Sequence, residues 1–239
     1  MKIQNLVLSV CAASALFLAG CASMPAGEND PYESTNRAIF EFNRQVDDNF
    51  ALPVARFYRD VVPDPARTGI HNFLTNLDSP VTFGNDLLQG DFRRGGQTFA
   101  RFITNSTIGL GGLIDMASRF QIPDHTEDFG QTLGVYGSGE GPYIVVPFLG
   151  PAPPRDLFGR IVDIFLDPFT YVGLRSKTEW MIGRGGFEVL DLRERNIDTI
   201  DQIQRTSIDY YATVRNLYRQ SRDAEIRNNT QTPENLPDF

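Results

Sequence analysis

The sequence predicts a mainly helical protein with a glycine-rich insertion near its middle. Apolar residues recur every three or four positions over most of the chain, which is the helical period. Proline cuts that pattern into segments of about 10–16 residues, typical of short helices. Nine of the 21 glycines fall between Gly109 and Gly150, where the helical period lapses into loop with room for a short hairpin.

The elements begin with a leader. Lys2 gives a positive start, Leu6 to Ala19 is mostly apolar, and Leu18-Ala19-Gly20-Cys21 closes the run with small residues and a cysteine. This is the pattern of a lipoprotein signal peptide over residues 1–20, with cleavage before Cys21. Cys21 is therefore the expected lipid anchor, carrying a diacylglyceryl group on sulfur and an acyl chain on its amine. Two or more chains suffice for stable anchoring, and the apolar run is too short to span a bilayer. Ala22 and Ser23 follow the anchor where an aspartate would favour inner-membrane retention. The expected location is thus the outer membrane, lipid-anchored on its periplasmic side. Residues 21–29 form a lipidated linker, 30–226 a single helical domain and 227–239 a polar, disordered tail.

Cys11 leaves with the leader and Cys21 is consumed by lipid, so no disulfide is expected. The formal net charge of −8 argues against nucleic acid as a partner and against polybasic docking on anionic lipid.

Along the domain, Asp30-Pro31-Tyr32-Glu33 reads as a helix start, with an N-cap acid, proline at the first position and a capping-box glutamate. Thr35, Ala38, Phe42, Val46 and Phe50 follow at helical spacing. Pro53, Pro63-Asp64-Pro65 and Pro80 each open a further segment, and Gly90 is the expected C-cap. Phe92, Phe99, Phe102 and Ile103 mark the next helix, and Pro154 to Leu166 another. Ser176-x-x-Glu179 makes a second capping box before a helical pattern that runs from Phe187 to about Glu225.

At 1.5 Å per residue such segments reach about 15–24 Å, short of the ~30 Å hydrocarbon core. Ordinary transmembrane helices are therefore not expected, and no series of alternating strands points to a barrel. The phenylalanine-bearing faces have two uses open to them. The residues alone favour packing as a core over lying within one leaflet.

Catalytic motifs are lacking. Gly137-Ser138-Gly139 is flanked by Tyr136 and Glu140 where a nucleophile elbow needs glycines further out. Lys177-Thr178 follows Ser176, with Tyr171 where a P-loop needs its first glycine. Two dinucleotide-like glycine clusters fail at Ile114 and Pro142. Asp124-His125-x-Glu127-Asp128 reads as a solvated turn rather than a metal site, and His71 as structural. No enzyme activity, cofactor or metal is expected.

Several ordered segments together resemble the MlaA/VacJ family of outer-membrane lipoproteins. They include Asp30-Pro31-Tyr32-Glu33 with Asn36-Arg37 and Phe42-Asn43, then Asn72 to Leu77 leading to Asn85-Asp86-Leu87-Leu88-Gln89-Gly90. Arg101-Phe102 to Asn105-Ser106-Thr107 follows. The most specific piece is Phe129-Gly130-Gln131-Thr132-Leu133-Gly134, through Gly141-Pro142-Tyr143 to Pro147. Leu149-Gly150-Pro151, Arg155-Asp156 and Asp167-Pro168 complete the resemblance, which spans about Asp30 to Leu192. Thr35 departs from the family's usual aromatic and Pro153-Pro154 from its usual serine-bearing stretch.

The resemblance implies a ring-like arrangement of short amphipathic helices in the inner leaflet of the outer membrane. It implies an amphipathic channel through which misplaced phospholipids leave the outer leaflet, association with a porin trimer, and a periplasmic lipid carrier as recipient. Gly134, Gly137, Gly139 and Gly141 are then candidates for a loop gating the channel, tight turns being the other reading. Phe42 and Asn43 are candidates for a helix bordering it. The competing reading of the chain is a structural lipoprotein that scaffolds porins without moving lipid.

Overall fold

A computed structural model describes residues 29–171 and 177–227. Cys21, the leader, Ser176 of the expected capping box and the tail beyond Arg227 lie outside these residues. The fold is mainly helical: α1 (Glu33–Val46), α2 (Leu52–Val61), α3 (Asp64–Leu88), α4 (Phe92–Thr107), α5 (Met116–Arg119), α6 (Phe129–Val135), α7 (Pro154–Leu166), α8 (Lys177–Arg195), α9 (Ile197–Thr206) and α10 (Tyr210–Ile226). A two-stranded antiparallel hairpin pairs β1 (Val145–Val146) with β2 (Gly150–Pro151), Val145 opposite Pro151.

The prolines do not all break helices. Pro63 and Pro65 do: Val62 is extended and Pro63 caps the start of α3. Pro53 does not, because a π-turn over Asp47–Ala51 joins α1 to α2. The amide of Leu52 reaches the carbonyl of Asp47, five residues back, and the wider turn makes room for the proline ring. Pro80, expected to open a new segment, lies inside α3. The Ser79 hydroxyl donates to the Thr75 carbonyl at 3.2 Å, an i−4 back-bond in the turn before the proline. At the other end α3 stops as expected: Gly90 has φ +78, and the amides of Gly90 and Asp91 return to Leu87 and Asp86.

The stretch from Phe187 to Glu225 is not continuous either. It breaks at Asn196 and again at Ser207–Asp209, where the Asp209 carboxylate accepts from the Ala212 amide and starts α10. The second break turns α10 back along α1. Arg37 donates to Asp209 at 3.0 Å, and Asp30 accepts from Tyr211 and from Arg215 at 2.9 Å. Asp30 is therefore not the N-cap of α1; Tyr32 occupies that position, and the buried carboxylate ties the two ends of the domain together.

α1 carries the hairpin through two asparagines. The Asn36 amide donates to the Tyr143 carbonyl at 2.9 Å and its oxygen accepts from the Val145 amide at 2.9 Å. Asn43 repeats this with the Val146 carbonyl at 3.0 Å and the Phe148 amide at 2.8 Å. Seven helical residues advance about 10.5 Å and three extended residues about 10 Å, so the two side chains meet the strand in register. Tyr143 and Val145 are fully buried against Tyr211, with Phe40 and Tyr218 beside them, in a small aromatic core.

Candidate functional site: a polar cavity within an apolar surface

The molecule is inverted relative to an ordinary globular core. Among the described residues, seventeen polar or charged residues are buried against ten apolar ones. The large apolar side chains face outward instead. Phe50, Val54, Phe57 and Val61 form one stripe, exposed from 54% to 70%. Phe92, Phe99 and Ile103 form a second, and Phe158, Ile161 and Phe165 a third. The expectation that these faces pack as a core is corrected: all three stripes face outward, and the buried apolar groups are few, among them Ala55, Leu74, Leu77 and Tyr211. Exposed apolar surface on this scale marks a membrane or protein interface. No helix among the described residues is long and apolar enough to cross a membrane.

Buried charge is stable only when paired and hydrogen-bonded, and the interior meets that demand. Asp86 accepts from Thr98 at 2.6 Å and lies 2.9 Å from His125 Nε2. Glu127 pairs with Arg94 at 2.8 Å and accepts from Gln89 at 2.8 Å. Arg101 reaches Asp115 and Asp124, each at 3.0 Å. Of the turn read from sequence as solvated, Asp124 is exposed and holds Arg101 from the surface, whereas His125 and Glu127 join the Asp86–Arg94 network and Asp128 pairs with Arg222. His71 is structural, 2.8 Å from Asp191.

The largest of these clusters joins α6, α7 and α10. Arg222 contacts Asp128 at 2.6 Å and Asp156 at 3.1 Å; Asp156 also accepts from the Tyr218 hydroxyl at 2.7 Å and from Arg155 Nε at 2.9 Å. Burial works to raise both acids, but hydrogen bonds and the Arg222 charge outweigh it and hold both below the usual carboxylate range. The helices meet backbone to backbone here: a Cβ on Gly159 would lie 2.3 Å from the Gly130 nitrogen.

Beside this cluster an open cavity of about 440 Å³ lies between α3, residues 126–128 ahead of α6, α7 with the turn that follows it, and α8. Val81, Ile164, Phe169, Trp180 and Met181 supply its apolar wall, and Arg160, Arg184 and several carboxylates its polar wall. Arg184 is shared by Asp78, Asp167 and Glu188, each at 2.6 Å. One cation divided among three acids leaves them crowded. Burial, with added repulsion from Glu188 and Asp167, pushes Asp78 up to about 6 against the pull of Arg184. A smaller cavity of about 230 Å³ borders the Arg222 cluster, and Arg160 lines both. The combination of convergent polar groups and apolar wall suits an amphiphile whose polar head needs solvation inside the protein.

The residues singled out from sequence lie elsewhere. Gly134 is within α6, where a Cβ would come 2.7 Å from Ile226, so it is a packing position and not part of a loop. Gly137 and Gly141, at φ +86 and +78, hold turns that other residues adopt with strain, whereas Gly139 has open space around it. Asn43 grips the hairpin as described, and Phe42 packs edge-on against Phe148 at 5.4 Å. None of these six lines the 440 Å³ cavity. Sequence reasoning missed Asp78, Arg160, Asp163 and Arg184; the density of arginine–acid content on amphipathic helices was their only signal.

A family model described as MlaA lipoprotein matches residues 28–225. The intermembrane phospholipid transport system lipoprotein MlaA of Escherichia coli (strain K12) is 37% identical over 241 residues, covering 98% of this chain and 94% of that protein. The Haemophilus influenzae protein of the same description is 34% identical over 251 residues, covering 100% and 97%. A chain solved in work on the structural basis for maintenance of bacterial outer membrane lipid asymmetry aligns with a TM-score of 0.74 at 38% identity, covering 82% of this chain and 98% of that one. The chain belongs to the MlaA lipoprotein family.

Proposed function

We propose that this protein takes misplaced phospholipids out of the outer leaflet of the outer membrane and passes them to a periplasmic carrier, so preserving lipid asymmetry. One observation carries the reading: polar side chains are gathered inside and apolar ones are displayed outside. A charged headgroup in hydrocarbon costs many kcal/mol unless protein groups replace its water. A polar interior inside an apolar surface lowers that barrier while acyl chains stay in contact with apolar surroundings.

In this reading Cys21 holds the chain to the inner leaflet by its lipid, and the exposed stripes sit among acyl chains or against a porin trimer. The glycine turns beside α6 and the hairpin gripped by Phe42 and Asn43 flank the route and do not form its lining. The work is binding and movement of lipid, with no bond made or broken. Relatives that carry the description of phospholipid transport over nearly their full length support it.

Cysteine labelling tests the embedding. Cys11 and Cys21 are the only cysteines, one lost with the leader and one acylated in this reading, so introduced thiols are read cleanly. In isolated outer membranes, cysteine at Phe57, Phe99 or Phe165 is expected to react with a water-soluble maleimide at least about tenfold more slowly than cysteine at Asp198, until detergent is added. Equal rates would contradict embedding. Protection that disappears in cells without porin would assign those stripes to the porin contact and not to acyl chains.

A further inference from the structure

The cavity sorts its charges in a way that specifies a headgroup. Asp78, Asp167 and Glu188 share Arg184, Glu127 pairs with Arg94, and Asp128 pairs with Arg222. Two lining residues are left over. Asp163 accepts only neutral donors, the Asn85 amide at 2.9 Å and the Phe129 backbone amide at 3.1 Å. Arg160 is exposed at the junction of the two cavities and, among the described residues, has no ion pair.

Both sit on α7, three residues apart and therefore on one helix face. They do not pair with each other within 4.0 Å. We propose that Arg160 and Asp163 form a receptor for a zwitterionic aminophospholipid head, Arg160 taking the phosphate and Asp163 the primary ammonium on its two-carbon linker. This rests on the phospholipid reading above and adds a headgroup preference to it.

The chemistry favours this assignment. Arginine offers several donors to phosphate oxygens and stays charged. An ammonium supplies the cation that Asp163 lacks. Burial pushes the Asp163 carboxyl above its usual range despite its hydrogen bonds from Asn85 and Phe129, and a bound ammonium would reverse that shift. A headgroup with phosphate alone leaves Asp163 unpaired beside Asp128 and meets the other carboxylates of the wall, so the site discriminates against anionic lipid.

The full lipidated chain, purified in non-ionic micelles doped with equal phosphatidylethanolamine and phosphatidylglycerol, is separated from free micelles and its retained lipid is quantified by mass spectrometry. Wild type is expected to retain phosphatidylethanolamine over phosphatidylglycerol by about threefold or more. Arg160→Gln, on an exposed side chain, should lower retention of both lipids by about tenfold with unchanged helical content. Asp163→Asn should bring the ratio to one or below. Retained lipid in the micelle ratio, or full retention by Arg160→Gln, overturns the receptor and leaves the phospholipid reading standing. Retention of neither lipid by wild type overturns both.

Discussion

Replacing Asn36 with leucine is expected to destabilise the domain by about 3–5 kcal/mol, because buried polar groups left without partners cost about 1–3 kcal/mol each. Asn36 is 1% exposed, and its amide is the partner of the Tyr143 carbonyl, the Val145 amide and the Asp30 carboxylate. Leucine fills the same space and satisfies none of the three. Asn43→Leu makes the contrast. Asn43 bonds the hairpin in the same manner, but the Phe148 amide is at the surface and water can replace the lost partner, so the expected cost is about 1 kcal/mol or less. Denaturation midpoints in detergent check both. A loss at Asn36 no greater than at Asn43 would contradict the account of the hairpin.

The second large effect is expected at Arg222. Arg222→Met removes the cation between Asp128 and Asp156, leaving the half-buried Asp128 with no cation and the buried Asp156 with Arg155 and Tyr218 alone. Breaking a fully buried pair costs about 3–5 kcal/mol, and solvent at Asp128 brings the expected loss to about 2–3 kcal/mol. The loss should depend on pH. In the wild type both acids are held below their unfolded range, so their contribution is present at neutral pH and is lost as pH falls through their folded values. In the variant the acids lose the pull of Arg222 and titrate higher in the fold, so less of that stability is present at neutral pH. The difference between the two proteins is therefore largest near neutrality and narrows towards pH 4 (roughly the unfolded carboxylate range). Urea denaturation at the two pH values checks it; a gap that widens on acidification would contradict the assignment.

Much of the fold was legible because helix starts, stops and stripes are local. The segments at Phe92–Thr107 and Pro154–Leu166 and the stop at Gly90 follow from periodicity, proline at a first turn and a glycine at positive φ. Continuity through Pro53 and Pro80 was not legible, since Pro53 is accommodated by a π-turn and Pro80 is carried inside a long helix packed along its length, neither of which is a local signal. Asp30 looked like a cap because its neighbours in sequence fit one. Its partners Tyr211 and Arg215 are 181 and 185 positions away.

The site was hidden for a related reason. A hydrophobic period locates the apolar stripe of a helix but reads the same whether that stripe faces a core or faces lipid. Phe50, Val54 and Phe57 therefore looked like core, and nothing in the period singled out Arg160, Asp163 and Arg184 among the charged residues. Only the assembly of α3, α7 and α8 reverses inside and outside and turns those charges into the lining of one cavity.

The most direct test of the account is outer-leaflet phospholipid in cells that lack this protein, and in the same cells restored with wild type or with Cys21→Ala. The account predicts accumulation of outer-leaflet phospholipid on loss of the protein, reversal by wild type and no reversal by Cys21→Ala. Unchanged outer-leaflet phospholipid, with porin levels or assembly altered instead, would contradict lipid removal and assign the chain to the scaffold.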